Sequence, residues 1–258
     1  MNLSDQIEHV ASILKSARAV VAFTGAGVSQ ESGVPTFRDA QTGLWEQYNP
    51  EDLATPDAFH RNPKLVWSWY IHRLNLVALA QPNPGHVALA NLPERVEQVH
   101  VITQNVDDLH ERAGSANVIH LHGRLDRFRC SQDCSGARSP ILLAAEDVNA
   151  DRVPTCPNCG AYVRPDVVWF GERLESASLD CASELTSTCD VMLVIGTSGV
   201  VQPASLLPER ARENGAKVFI VNPMSTEQLP VADLHLQAAS GEVLPRIVNS
   251  LNIRPGRG

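Results

Sequence analysis

The sequence has little positive charge. Its 258 residues include 21 lysines and arginines against 29 aspartates and glutamates, so the formal net charge is −8. Proteins that bind DNA or RNA through the phosphate backbone present a basic face, so this balance argues against direct nucleic-acid binding. The sequence also lacks an apolar stretch near the roughly 20 residues of a membrane span, so we expect no membrane partner.

An export signal is missing as well. The first residues, "MNLSDQIEHVASILKSARAVV", do not have the charged-then-apolar layout of a signal peptide, and they indicate an amphipathic helix that leads into a strand. We therefore expect a cytoplasmic protein. In that reducing compartment, the six cysteines are expected to bind metal or to be buried, not to form disulfides.

Four apolar runs have the length and the β-branched content of buried strands. They are residues 19–23, 99–103, 191–196 and 217–222. Helical periodicity separates them, around residues 4–16, 84–92, 107–113 and 203–213. This alternation predicts an α/β fold, a Rossmann-like parallel sheet with helices on both faces.

Two segments do not follow the alternation. Residues 45–80 are helix-rich and aromatic, and residues 127–165 hold four cysteines without a long apolar run. We interpret them as a smaller inserted domain, a helical module plus a zinc ribbon. The Rossmann-like domain is then expected to comprise residues 1–44, 81–126 and 166–258.

The four cysteines form two pairs with metal-ligand spacing. Cys130 and Cys134 are separated by three residues, Cys156 and Cys159 by two, and twenty-one residues lie between the pairs. Four thiolates fill the coordination shell of Zn²⁺ and leave no position for water, so the pattern predicts a structural zinc. The alternative is four unrelated buried cysteines.

A glycine-rich loop follows the first predicted strand. After "AVVAF" comes "TGAGVSQESGVPTFR", residues 24–38, the kind of loop that brings backbone amides to a phosphate. Gln30 stands where the dinucleotide fingerprint has its third glycine, which argues against an ordinary dehydrogenase. The ends of three strands, "TGAG", "TQNVDD" and "GTSGV", are expected to meet at one site.

Two histidines alternate in "VIHLHGRL". On a strand, His120 and His122 share one face, and an H-x-H pair could bind metal, but no further ligand of matching pattern follows nearby. His122 precedes Gly123, at a turn from which the side chain can reach into a cleft. Because imidazole titrates near neutral pH, this placement favours a general base at His122. The alternative for either residue is a structural histidine.

Six motifs in order resemble the sirtuin family of NAD-dependent protein-lysine deacylases. They are "GAGVSQESGVPTFR", "TQNVDDLHERAG", "HLHGRL", the cysteine pairs (the first C-x3-C in place of the usual C-x2-C), "RPDVVWFGE" and "VIGTSGVV". The resemblance spans about residues 20–222. It implies NAD as co-substrate, one structural zinc, His122 as catalytic base, and nicotinamide and 2′-O-acyl-ADP-ribose as products. The rival interpretations are an NAD-dependent protein ADP-ribosyltransferase on the same fold and a zinc-ribbon nucleic-acid module, which the acidic charge opposes.

The resemblance also assigns the NAD-binding residues. They are Gly25, Ala26, Gly27 and Ser29 at the diphosphate, Pro35, Phe37 and Arg38 in a mobile segment over the ribose, Gln104, Asn105 and Asp107 on the nicotinamide side, and Gly196, Thr197, Ser198 and Asn222 beyond the third and fourth strands. We expect the glycines at positions 25, 27 and 33 to let this loop open and close around the cofactor.

The expected partner is an acyl-lysine of a protein substrate, bound as an extended peptide along a strand from Val167 to Glu172. The residues that would flank the lysine and continue its wall are Val168, Trp169, Phe170 and Gly171.

Tyr70 and Arg73 lie three apart on one helix face, which on spacing alone indicates a packed surface pair. In the sirtuin branch that this sequence resembles, called class III, such a pair binds the distal carboxylate of succinyl, malonyl or glutaryl lysine. Ala54 matches the small residue that keeps that pocket wide. The resemblance thus implies a preference for acidic acyl groups, with weaker deacetylation.

Overall fold

A computed structural model describes residues 1–36, 47–136 and 138–251 of the chain. In these residues the strands are, in chain order, β1 (Ala19–Thr24), β2 (Gln98–Thr103), β3 (Val118–His120), β4 (Gly123–Cys130), β5 (Val163–Val167), β6 (Val191–Ile195), β7 (Lys217–Val221) and β8 (Leu234–Leu236). The helices are α1 (Leu3–Leu14), α2 (Ala26–Gln30), α3 (Pro50–Leu53), α4 (Pro56–Arg61), α5 (Pro63–Leu79), α6 (Pro84–Asn91), α7 (Leu109–Arg112), α8 (Ser176–Thr188), α9 (Leu207–Glu213) and α10 (Ser240–Asn249).

Six parallel strands form the main sheet, in the order β3-β2-β1-β6-β7-β8. The four predicted strands are its central members β2, β1, β6 and β7, and each agrees with the prediction to within one residue at either end. The edge strands β3 and β8 were not predicted. Each has three residues, too few for an apolar run that can be recognised in a sequence.

Helices cover both faces of this sheet. Along β1, Val20 and Ala22 pack into a core with α1, α6 and α10, whereas Val21 and Phe23 pack into a second core with α8 and α9. Successive side chains of a strand point to opposite faces, so a strand that is buried on both faces must be apolar throughout. The expected α/β fold with helices on both faces is confirmed.

A third core lies outside the sheet. Trp67 and Trp69 of α5 pack with Phe128 of β4 and Val163 of β5, and β4 pairs antiparallel with β5. Both strands cross the boundaries expected between the two domains, so those boundaries stay a prediction. None of the described helices is both long and apolar enough to cross a membrane.

Candidate active site

The carboxyl ends of β1, β2 and β6 meet at one cavity, as the sequence predicts for a parallel sheet. Its volume is about 860 Å³, and it extends from the glycine-rich loop to α5 and to the segment after β5. The predicted site residues that line it are Gly25, Ala26, Gly27, Ser29, Pro35, Ala54, Tyr70, Arg73, Gln104, Asn105, Asp107, His122, Val168, Trp169, Phe170, Gly171, Gly196, Thr197, Ser198 and Asn222. Phe37 and Arg38 lie outside the described residues.

Two strand-end loops interlock through glycines. The N–H of Gly25 donates to Ile195 O (2.9 Å), and the N–H of Gly27 donates to Gly196 O (2.8 Å). A Cβ on Gly27 would lie 2.7 Å from Gly196 O, and Gly196 itself has a φ of +59°. Glycine is therefore required at positions 25 and 27 because the two backbones approach each other closely. The sequence analysis expected these glycines for a different reason, the opening and closing of the loop. Gly33, with a φ of +81°, fits a turn.

Polar side chains from three elements converge below this loop. Asn105 Nδ2 donates to Ser29 Oγ (2.9 Å), and Ser29 Oγ donates to Asp107 Oδ2 (2.9 Å). Gln104 Nε2 donates to Thr197 Oγ1 (2.8 Å). Burial raises the pKa of Asp107, although its bonds from Ser29 and from a backbone N–H oppose the shift. The arrangement fixes three amide or carboxyl groups along the cavity wall.

His122 is oriented by a backbone carbonyl. Its Nδ1 lies 2.9 Å from Gln104 O. Because a carbonyl oxygen can only accept, Nδ1 carries the proton and Nε2 keeps its lone pair. Burial lowers the pKa of His122, and the bond to Gln104 O only partly offsets this shift. The ring is therefore neutral near pH 7 and can accept a proton at Nε2.

Asn222 joins the loops that follow β6 and β7. Its Nδ2 donates to Thr197 O (3.0 Å), and its Oδ1 accepts from the N–H of Met224 (3.0 Å). His235 Nε2 lies 2.7 Å from Asn222 O. These bonds fix the loops at the end of the cavity that is formed by β6 and β7.

At α5, a tyrosine and an arginine turn inward. Tyr70 is 3% exposed and Arg73 is 9% exposed, so the surface pair that spacing alone favoured is wrong. The ring of Tyr70 stacks on Trp169 at 6.2 Å between centroids, and its hydroxyl is buried beside the Trp169 side chain. Because an indole N–H can only donate, the hydroxyl proton has no acceptor among the described residues. Burial raises the pKa of Tyr70, although the charge of Arg73 opposes the shift, so the hydroxyl remains a proton donor.

Trp169 is held by an ion pair that the sequence analysis missed. The guanidinium of Arg164 lies 3.2 Å from the centroid of the Trp169 ring and donates to both carboxylate oxygens of Glu172 (2.6 and 3.0 Å). Glu172 also accepts the N–H of Trp169 (2.8 Å). Both charged residues lie within the motif "RPDVVWFGE", which also contains the tryptophan. Two opposite charges so close to a tryptophan were the signal from which the ion pair could have been predicted.

The segment that was expected to be a strand up to Glu172 is one only as far as Val167. Beyond β5 the N–H of Val168 donates to His122 O (2.8 Å), and the N–H of Phe170 donates to Ala54 O (2.9 Å). Gly171 then turns the chain with a φ of +87°. The expected strand is wrong over residues 168–172 because these N–H groups bind other parts of the fold.

The four predicted zinc ligands come together. The sulfurs of Cys130, Cys134, Cys156 and Cys159 all lie within 4.8 Å of one another, with Cys130 to Cys159 at 3.6 Å and Cys134 to Cys156 at 3.5 Å. A tetrahedral Zn²⁺ with Zn–S bonds of about 2.3 Å separates its sulfurs by roughly 3.8 Å. The N–H of Gln132 donates to Cys130 Sγ (3.4 Å). The four thiols therefore fit one structural zinc and leave no ligand position open.

Comparison with known proteins identifies the family. The model of the Sir2 family matches residues 25–203. The chain belongs to this family. A relative from Pyrococcus abyssi named NAD-dependent protein deacylase is 48% identical over 245 residues, which cover 95% of this chain and 98% of that protein. NAD-dependent protein deacylase 1 of Pseudomonas aeruginosa is 49% identical over 241 residues, 93% of this chain and 96% of that protein.

Solved Sir2 structures share the fold of this sirtuin. A Sir2 homologue in complex with NAD has a TM-score of 0.85 at 44% identity, over 94% of this chain and 92% of that one. A complex of a mutant homologue with 2′-O-acetyl-ADP-ribose has a TM-score of 0.84 at 43% identity, over 94% of this chain and 95% of that one. The expected resemblance to NAD-dependent protein deacylases is confirmed.

Proposed function

We propose that this sirtuin uses NAD to remove acyl groups from protein lysines, and that it prefers succinyl, malonyl and glutaryl groups over acetyl. The observation that carries this preference is the pair on α5. The buried hydroxyl of Tyr70 has no acceptor for its proton among the described residues, and Arg73 lines the same cavity as His122.

A carboxylate at the end of the acyl chain suits this pair. It offers oxygen acceptors to the tyrosine hydroxyl and to the guanidinium, and a bond between ionised groups is stronger than one between neutral groups. An acetyl group ends in a methyl and would leave both donors without a new partner. Ala54 contributes a small side chain to the wall of the same cavity, which supports an acyl chain longer than acetyl.

We assign the cofactor end of the cavity to NAD. The interlocked loop of Gly25 and Gly27 presents backbone near the expected diphosphate, and Gln104, Asn105 and Asp107 stand where the nicotinamide would lie. The loop at Asn222 would take the adenosine side. The solved Sir2 homologue with bound NAD supports this assignment, since 94% of the present chain superposes on the same fold.

When bound, NAD would supply a glycosidic bond whose cleavage releases nicotinamide and opens a ribose carbon to attack by the acyl oxygen. The protein contributes alignment and exclusion of water. Trp169, held in place by Arg164 and Glu172, would form one wall of the lysine channel beside Val168. Nε2 of His122 would take the proton of a ribose hydroxyl, so that this oxygen can attack the acyl carbon.

The test is mass spectrometry of one peptide that carries acetyl, malonyl, succinyl or glutaryl lysine, incubated with the protein with and without NAD. We expect NAD-dependent loss of the acyl group, release of nicotinamide and O-acyl-ADP-ribose, and faster turnover of the three acidic acyl groups. ADP-ribose attached to protein without loss of the acyl group would support the transferase alternative. Faster turnover of the acetyl peptide would overturn the preference.

A further inference from the structure

The first histidine of "HLH", His120, lies against two hydrogen-bond acceptors and has no assigned role. His120 ends β3, and its side chain is 10% exposed. Its Nδ1 lies 3.0 Å from Asn105 O, and its Nε2 lies 2.8 Å from Glu111 Oε1. Both ring nitrogens are therefore engaged, one with the loop after β2 and one with α7.

Hydrogen-bond accounting places a proton on Nδ1 of this ring. A backbone carbonyl can only accept, so Nδ1 of His120 donates to Asn105 O. Arg124 also donates to Glu111 Oε1. Burial raises the pKa of Glu111, but the hydrogen bond and charge of His120, and then the charge of Arg124, outweigh it and lower the pKa to about 2. The carboxylate therefore stays ionised between Arg124 and the ring of His120.

The two histidines hold consecutive peptide groups. His122 Nδ1 donates to Gln104 O, and His120 Nδ1 donates to Asn105 O. Asn105 is fixed at two further points, since its N–H donates to Thr103 Oγ1 (3.0 Å) and its side chain donates to Ser29 Oγ (2.9 Å). His120 thus supplies the bond that fixes the carbonyl of Asn105.

We propose that His120 is a positioning residue, which Glu111 holds at Nε2 and which, through Nδ1, fixes the peptide group of Asn105 for the nicotinamide end of NAD. This inference rests on the proposed use of NAD. Glu111 and Arg124 bond directly within this cluster, while Asp107 and His110 lie close enough to His120 for their charges to interact.

Two substitutions separate the bonds of His120. In His120→Asn the amide nitrogen takes the place of Nδ1 and keeps the donor to Asn105 O. In His120→Gln the amide nitrogen takes the place of Nε2 and keeps the donor to Glu111. The readout is the dissociation constant, by calorimetry, of ADP-ribose and of carba-NAD, a stable analogue that retains nicotinamide.

We expect His120→Gln to weaken the binding of carba-NAD about tenfold, which is the loss of one hydrogen bond, and to leave the binding of ADP-ribose within about twofold. His120→Asn is expected to weaken carba-NAD by about threefold or less. The matched control is His9→Asn, an exposed histidine on α1. Equal effects of Asn and Gln at position 120, or equal losses for both ligands, would overturn the inference.

A second measurement does not depend on the variants. In the ¹⁵N spectrum of the wild-type protein at pH 7.5, we expect Nδ1 of His120 to carry a proton, with its signal assigned by its loss in His120→Gln. An Nδ1 without a proton would overturn the inference even if the enzyme is active. Conversely, failure of the wild-type protein to deacylate any peptide would reject the proposed function, while the spectrum would still test the state of His120.

Discussion

Two buried arginines lie at the end of the cavity that we propose for the acyl group, and the residues around them differ. The carboxylate of Glu172 neutralises Arg164, and the guanidinium of Arg164 stacks on Trp169. Arg164 therefore holds the wall of the cavity in place. Arg73 lines the cavity itself, with its guanidinium 5.3 Å from the centroid of the Trp69 ring. Since Arg73 and Tyr70 are three residues apart on α5, one carboxylate can reach both.

Arg73→Met tests that assignment. The substitution removes a charge-assisted contact worth about 1.5–3 kcal/mol, so kcat/KM for a succinyl peptide is expected to fall about 10- to 100-fold. The acetyl peptide is expected to lose little or to gain, because it has no carboxylate to bind. Tyr70→Phe is the companion variant and acts in the same direction, more weakly. The measurement is the ratio of kcat/KM for the two peptides at saturating NAD, and an equal fall for both would contradict the acyl preference.

The pH dependence follows from His122. Burial lowers its pKa, and a base acts only when unprotonated, so activity is expected to rise through a pKa below the ordinary value of about 6.5. The measurement is kcat/KM for the succinyl peptide from pH 5 to pH 8. His122→Ala is expected to abolish turnover while the melting temperature and the affinity for ADP-ribose stay near wild type. An acid limb centred above pH 7, or near-normal turnover by His122→Ala, would remove His122 from the mechanism.

At the scale of elements, a helix cap holds the glycine-rich loop on the side of α10. Glu31, just after α2, accepts the N–H of Ser240 (2.8 Å) and the N–H of Gly241 (2.9 Å), so its carboxylate caps α10 across 209 residues of chain. Asn83 adds a second tie, because its side chain donates to Val28 O (2.7 Å). The loop is therefore fixed to two helices on the face away from the cavity.

Glu31→Gln tests the strength of this tie. Loss of a charged cap at a helix N-terminus costs about 1–2 kcal/mol, which lowers the melting temperature of a domain of this size by about 2–8 °C. The matched control is Glu242→Gln, an exposed residue in the first turn of the same helix. If the two variants melt alike in differential scanning calorimetry, Glu31 does not cap α10.

The elements also show what a single sequence can predict. The four central strands were predictable because burial on both faces requires continuous apolar runs. The zinc ligands were predictable because the two thiols of each pair must lie close in the chain. The ion pair of Arg164 with Glu172 and the cap of Glu31 on α10 could not be predicted. Each depends on which residues lie close together in the folded chain, and sequence periodicity does not give that information. The burial of Tyr70 and Arg73 could not be predicted from their spacing either. The spacing shows that they share a helix face, but whether that face is buried depends on the elements that pack against the helix.

At the scale of the whole molecule, the zinc ribbon adjoins the cavity wall that contains Trp169 and Glu172. Cys130 ends β4 directly after Arg129, which is 5% exposed. Arg129 lies 3.4 Å from Asp166 and 3.5 Å from Glu172 in ion pairs, and Glu172 in turn holds Arg164 and Trp169. A continuous set of charged contacts thus connects the metal site with the wall of the cavity.

Loss of the metal is therefore expected to act on stability first and on peptide binding second. Elemental analysis should find one zinc per chain, and Cys156→Ser should lower the melting temperature by about 10 °C, since loss of a structural metal is among the most destabilising changes. At a temperature where the variant stays folded, we expect KM for the peptide to rise severalfold while kcat changes less than twofold. Cys181→Ser, an exposed cysteine on α8, is the control and should keep its zinc and its peptide KM. Purified wild-type protein without zinc would contradict the metal assignment. A zinc-depleted Cys156→Ser variant with an unchanged peptide KM would instead contradict the coupling through Arg129 and Glu172.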